Sequence, residues 1–145
     1  MCLLVYLVSD SDLPEVPWDR RHPAFNVERL KRKEEFLHIL PGANAYMLGS
    51  HEGCGCGFMS NELDDPQERA ASDASRLALS EYVEGVIRGD VQLFLLAAWD
   101  GDENNPLVRA RVTSRDLLAY PWDQTWDAPH LIEVTPVPGN ESPNL

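Results

Sequence analysis

Cys2-Leu3-Leu4-Val5-Tyr6-Leu7-Val8 is an unbroken apolar run of strand length. No side chain in it asks for water, so it predicts a strand buried on both faces in the middle of a sheet. Ser9-Asp10-Ser11-Asp12, then Pro14 and Pro17, close the run, because short polar side chains favour turns and proline has no N–H to give a ladder. A second run of the same kind, Val91 to Trp99, predicts another buried strand.

Buried strands need a cover, and residues 66–88 supply it. Pro66 suits a first helical position, Asp65 an N-cap, Glu68 the positive end of the dipole, and Gly89 a stop. At about 100° per residue, Ala71, Ala78, Leu79, Tyr82, Val83 and Val86 gather on one side, the stripe of a helix lying on a sheet.

The remaining segments are weaker. Residues 24–30 alternate in polarity and residues 45–48 form a short apolar run, so both read as strands. Leu107 to Val112 alternates as well and is expected to fold back on the 91–99 strand as a hairpin across the turn at 100–106. His130 to Thr135 reads as the last strand. Short helices are expected over Glu34 to Leu40, halted by Pro41-Gly42, and from Thr113 or Ser114 to Leu118. The sum is a single α+β domain over 1–135, with about five strands in a mostly antiparallel or mixed sheet, one long helix packed on it and one or two short helices. Pro136, Pro138, Gly139 and Pro143 predict a disordered tail over 136–145.

Composition narrows the function classes. The chain carries 12 Lys and Arg against 24 Asp and Glu, a net charge of −12. A field of that sign repels phosphate backbones, so no nucleic-acid partner is expected. The one basic cluster, Arg29-Leu30-Lys31-Arg32-Lys33, is flanked by Glu28, Glu34 and Glu35 and reads as a solvated face. No apolar run approaches the ~20 residues that cross a bilayer, and no basic n-region precedes the first one, so no membrane partner and a cytoplasmic location are expected. An odd count of 3 cysteines fits reduced thiols, not a disulfide framework. The chain's compactness suggests a bacterial source.

The chemistry concentrates in Gly49-Ser50-His51-Glu52-Gly53-Cys54-Gly55-Cys56-Gly57-Phe58. His51, Cys54 and Cys56 are spaced so that one loop presents an imidazole and two thiols, and residues two apart in extended chain point the same way about 6.5 Å apart. Sulfurs about 2.3 Å from zinc then need only modest bending at Gly55, with Cys2, His38, His22 or water completing the set. The metal-site expectation is therefore His51, Cys54, Cys56 and Cys2, holding zinc or another transition metal in a binding or structural role. The spacing differs from the two-residue gaps of common zinc fingers.

Two alternatives stay open. Cys54-Gly55-Cys56 also suits a thiol–disulfide redox pair or sensor, with His51 favouring the thiolate. The cysteines also suit small buried apolar positions in a glycine-rich turn, leaving an interaction module with neither metal nor redox site. Met1-Cys2 resembles the start of amidotransferases that use an N-terminal cysteine as nucleophile, but Leu3 stands where those enzymes have glycine. Asp100-Gly101-Asp102-Glu103-Asn104 imitates a calcium loop, yet Arg111 occupies the place of its last carboxylate, so it reads as a turn. Trp18, Trp99, Trp122 and Trp126 read as anchors between loops and core.

Overall fold

The first apolar run is strand β1 (Leu3–Ser9), and every residue in it except Leu4 is buried. In the computed structural model, which describes residues 2–33, 37, 38, 40–59, 65–87, 92–103, 105–122 and 127–137, β1 sits inside a sheet of β2 (Phe25–Arg29), β3 (Asn44–Ser50), β4 (Leu93–Trp99), β5 (Val108–Thr113) and β6 (His130–Thr135). The order is β2-β3-β1-β4-β6-β5. All pairings are antiparallel except β5 with β6, which run parallel. The mixed sheet thus has six strands, one for each segment that reads as a strand in the sequence, where the sum was put at about five.

The hairpin expected between the fourth and fifth strands does not form. β4 pairs instead with β6, in register Leu95 with Ile132, and β5 lies outside β6 as an edge strand. Burial explains the choice. Leu131, Ile132 and Val134 fill both sides of β6, whereas β5 exposes Val108, Arg109 and Arg111. A strand with charges on it is tolerated at an edge and is expensive in the middle.

The single long helix, α1 (Pro66–Val86), begins as the sequence implies, with the Asp65 carboxylate accepting from the Glu68 N–H at 2.8 Å. It covers one face of the sheet, where Leu79 and Val83 join Leu3, Val5, Leu7, Phe58 and Trp122 in one cluster. The other face is smaller and packs Tyr6, Val8, Leu96 and Leu131 against Leu37 and Leu40.

The expected stripe on α1 is correct at its centre and incomplete around it. Leu79 and Val83 are buried, but so are Ser72, Ser75 and Ser80, which an apolar pattern does not find. The short helix expected after β5 is a 3-10 turn, Asp116–Ala119, opened by a reciprocal pair: Thr113 Oγ1 accepts from the Asp116 N–H, and the Asp116 carboxylate from the Thr113 N–H. Most of the helix expected over 34–40, the Gly89 stop, Trp126 and the tail beyond Val137 lie outside the described residues.

Candidate metal centre

Three sulfurs meet where β1 begins. Cys2 immediately precedes β1, and Cys54 and Cys56 lie in the turn that follows β3. Their Sγ atoms all lie within 4.8 Å of one another. All three are free thiols, Cys2 exposed and the other two half-buried. The sheet itself brings them together, because β3 is the antiparallel neighbour of β1 and so its far end lies beside the start of β1.

Backbone amides point at two of the sulfurs. The Leu3 N–H donates to Cys56 Sγ at 3.2 Å and the Cys56 N–H to Cys54 Sγ at 3.4 Å. An N–H aimed at sulfur suits a ligand that carries negative charge. Cys54 is also the N-cap of a 3-10 turn, Gly55–Phe58. Without metal, burial pushes the Cys54 thiol above its ordinary range, a shift partly offset by the Cys56 N–H. An arriving ion must therefore displace a proton there.

Ser50, buried at the end of β3, closes the turn. Its N–H donates to the Cys54 carbonyl at 3.0 Å, its hydroxyl donates to the same carbonyl, and the Ser50 hydroxyl oxygen accepts from the Gly57 N–H at 2.9 Å. Two glycines are required by close approach. A Cβ on Gly55 would stand 2.7 Å from Val5 Cγ2 and 2.8 Å from the Leu3 carbonyl oxygen; one on Gly57 would stand 2.4 Å from Ser50 Oγ and 2.6 Å from the His51 ring.

Two of the buried serines of α1, Ser72 and Ser75, hold this turn from outside. Ser72 Oγ donates to the Met59 carbonyl at 2.9 Å, and Arg76 Nη1 to the Phe58 carbonyl at 2.8 Å. Ser75 Oγ accepts from the His51 N–H at 3.2 Å and lies 3.1 Å from His51 Nδ1. A turn folded against a helix must satisfy its carbonyls and amides there, and hydroxyls at helical spacing do so where leucines would not. Serines three apart within an otherwise apolar stripe were the sequence signal for this contact.

Of the four residues suggested by spacing, the structure brings Cys2, Cys54 and Cys56 together and places His51 elsewhere. The His51 ring lies against Ser75, and its Nε2 is 3.7 Å from Glu52 Oε1. Among the described residues, the three cysteines are the one group of His, Cys, Asp and Glu donors that converges. His22 and His38, both exposed, are not in it, nor are the carboxylates of the Asp100 turn.

Chemically the set is soft, and it becomes anionic when its thiols give up their protons to a metal. Two sulfurs on one tetrahedral zinc stand about 3.8 Å apart for bonds near 2.3 Å, so closing around an ion takes movements of about 1 Å or less. Thiolates select zinc or copper(I) over magnesium or calcium. The Cys2/Cys54/Cys56 cluster could hold a metal. No helix among the described residues is long and apolar enough to cross a membrane. No known family model, curated protein or solved structure matches this chain.

Proposed function

We propose that the protein is a metal-binding module that holds zinc, or another soft transition ion, through the thiolates of Cys2, Cys54 and Cys56. The observation that carries this reading is the convergence of three free thiols from two distant segments to within 4.8 Å. Packing alone gives no reason for three sulfurs to face one another, with one of them exposed. A bound ion would tie the start of the central strand to the turn after β3 and, through Ser72, Ser75 and Arg76, to α1. That is a structural or binding role, in which metal affinity adds to folding free energy.

The same convergence supports a second reading, a dithiol in which Cys54 and Cys56 cycle through a disulfide. One experiment separates the two: elemental analysis of the purified protein with a free-thiol count before and after chelation. About one equivalent of metal, and thiols that react only once it is removed, is the expected result. A metal-free protein whose thiol count rises on reduction is a redox protein instead. A metal-free protein with three unreactive thiols has neither activity.

A further inference from the structure

We infer that the ion in this centre takes its fourth ligand from outside the chain, and that this ligand is a small thiol; the inference rests on Cys2, Cys54 and Cys56 being the protein donors. Gly55, between Cys54 and Cys56 in the chain, lies so close to Val5 and the Leu3 carbonyl that a methyl group would not fit, and the Leu3 and Cys56 amides already donate to the Cys56 and Cys54 sulfurs. Cys2, by contrast, is exposed to solvent. An ion between the sulfurs is therefore approached from the Cys2 side.

The imidazole nearest in sequence is held away from that approach. His51 Nδ1 is 3.1 Å from Ser75 Oγ on α1, and Gly57 packs against its ring. Among the described residues no further imidazole, thiol or carboxylate joins the three sulfurs. Zinc held by three protein ligands completes its tetrahedron with an exchangeable one.

Charge and softness decide what that ligand is. Three thiolates more than neutralise a divalent ion, so a water bound to it keeps its protons at neutral pH. Water on zinc held by three neutral imidazoles, by contrast, ionises near pH ~7. The centre is therefore a poor source of hydroxide. A sulfur donor matches the soft set already present. In the exchange, a metal–sulfur bond forms as the metal–water bond breaks, the S–H proton passes to bulk water, and nothing is oxidised or reduced.

The test is a titration of cobalt(II)-loaded full-length protein with 2-mercaptoethanol, following the sulfur-to-cobalt charge-transfer band. The expected result is saturable growth of the band by about one third, as cobalt–sulfur bonds rise from three to four, with cobalt still eluting with the protein. Thiol affinity should also rise about tenfold per pH unit below the thiol's own pKa, because one proton is released. A cobalt protein whose band ignores thiol has its fourth position filled by the chain itself; that overturns this inference and leaves the metal-binding reading standing. Collapse of the band, with cobalt lost to free thiol, overturns it as well. A protein that binds neither cobalt nor zinc ends both.

Discussion

Two turns flank the start of β1; the sequence offers one as a metal site, while the other imitates a calcium loop and reads as a plain turn. The turn after β3 carries Cys54 and Cys56; the turn after β4 carries Asp100, Asp102 and Glu103, and its Asp100 N–H donates to the Cys2 carbonyl at 2.9 Å. Both lie at the same end of the sheet, yet they differ in what holds them. The cysteine turn is fastened by Ser50 from within and by Ser72, Ser75 and Arg76 from α1, and it faces a third thiol from the segment just before β1. The acidic turn satisfies itself, with Glu103 Oε2 accepting from the Gly101 N–H at 3.1 Å. Both turns carry several donor side chains within a few residues. Anchoring from a second element and a donor from a distant segment set them apart.

Breaking the cysteine turn should have the largest effect. Cys2→Ser is expected to weaken zinc binding by more than about 100-fold, since loss of even an outer-shell partner costs 10–100-fold. Competition with a colorimetric chelator measures this, and an unchanged affinity would remove Cys2 from the ligand set. Gly55→Ala comes next. Its Cβ meets Val5 and a backbone carbonyl, so urea unfolding should show a loss of about 1–3 kcal/mol, as overpacked sites do.

Ser75→Ala tests the anchor alone. Ser75 is fully buried, and the change strips a partner from both the His51 amide and its ring, an expected loss of about 1–2 kcal/mol with all three sulfurs intact. Stability equal to the parent would mean that α1 does not hold the turn. On the other side of the comparison, Asp102→Asn should leave zinc affinity unchanged and stability within about 0.5 kcal/mol, the range of ordinary surface substitutions. Altered zinc affinity in that variant would make the acidic turn part of the centre.

The smallest effect comes from a residue near neither sulfur nor turn. His130, half-buried on β6 with Nδ1 2.7 Å from the Tyr120 hydroxyl, has its pKa lowered by burial. The unfolded chain then binds the proton at higher pH than the folded one, so this contribution is complete above the ordinary 6.5 and fades as pH falls below it. His130→Gln should flatten that acid-side slope in unfolding curves, and Cys2→Ser should leave it in place. A slope that vanishes with Cys2 would tie acid sensitivity to the centre instead.

The sequence by itself determined the parts whose environment is local or uniform. β1 and β4 are apolar throughout, so their burial on both faces follows from composition, and the start of α1 follows from Asp65 and Pro66, whose hydrogen bonding stays within four residues. The glycines at 55 and 57 read in the sequence as a turn, and only the structure shows what they approach. What only the tertiary structure decided depends on contacts between distant segments. Whether β4 pairs with β5 or β6 is a competition over burial that neither strand reveals alone. Ser72 and Ser75 interrupt an apolar stripe at helical spacing, but only the turn after β3 shows which groups they bond. His51 and the cysteines share one loop in the sequence, but a side chain points where its nearest partner holds it. Ser75 takes the imidazole, and antiparallel pairing of β1 with β3 delivers Cys2 to Cys54 and Cys56.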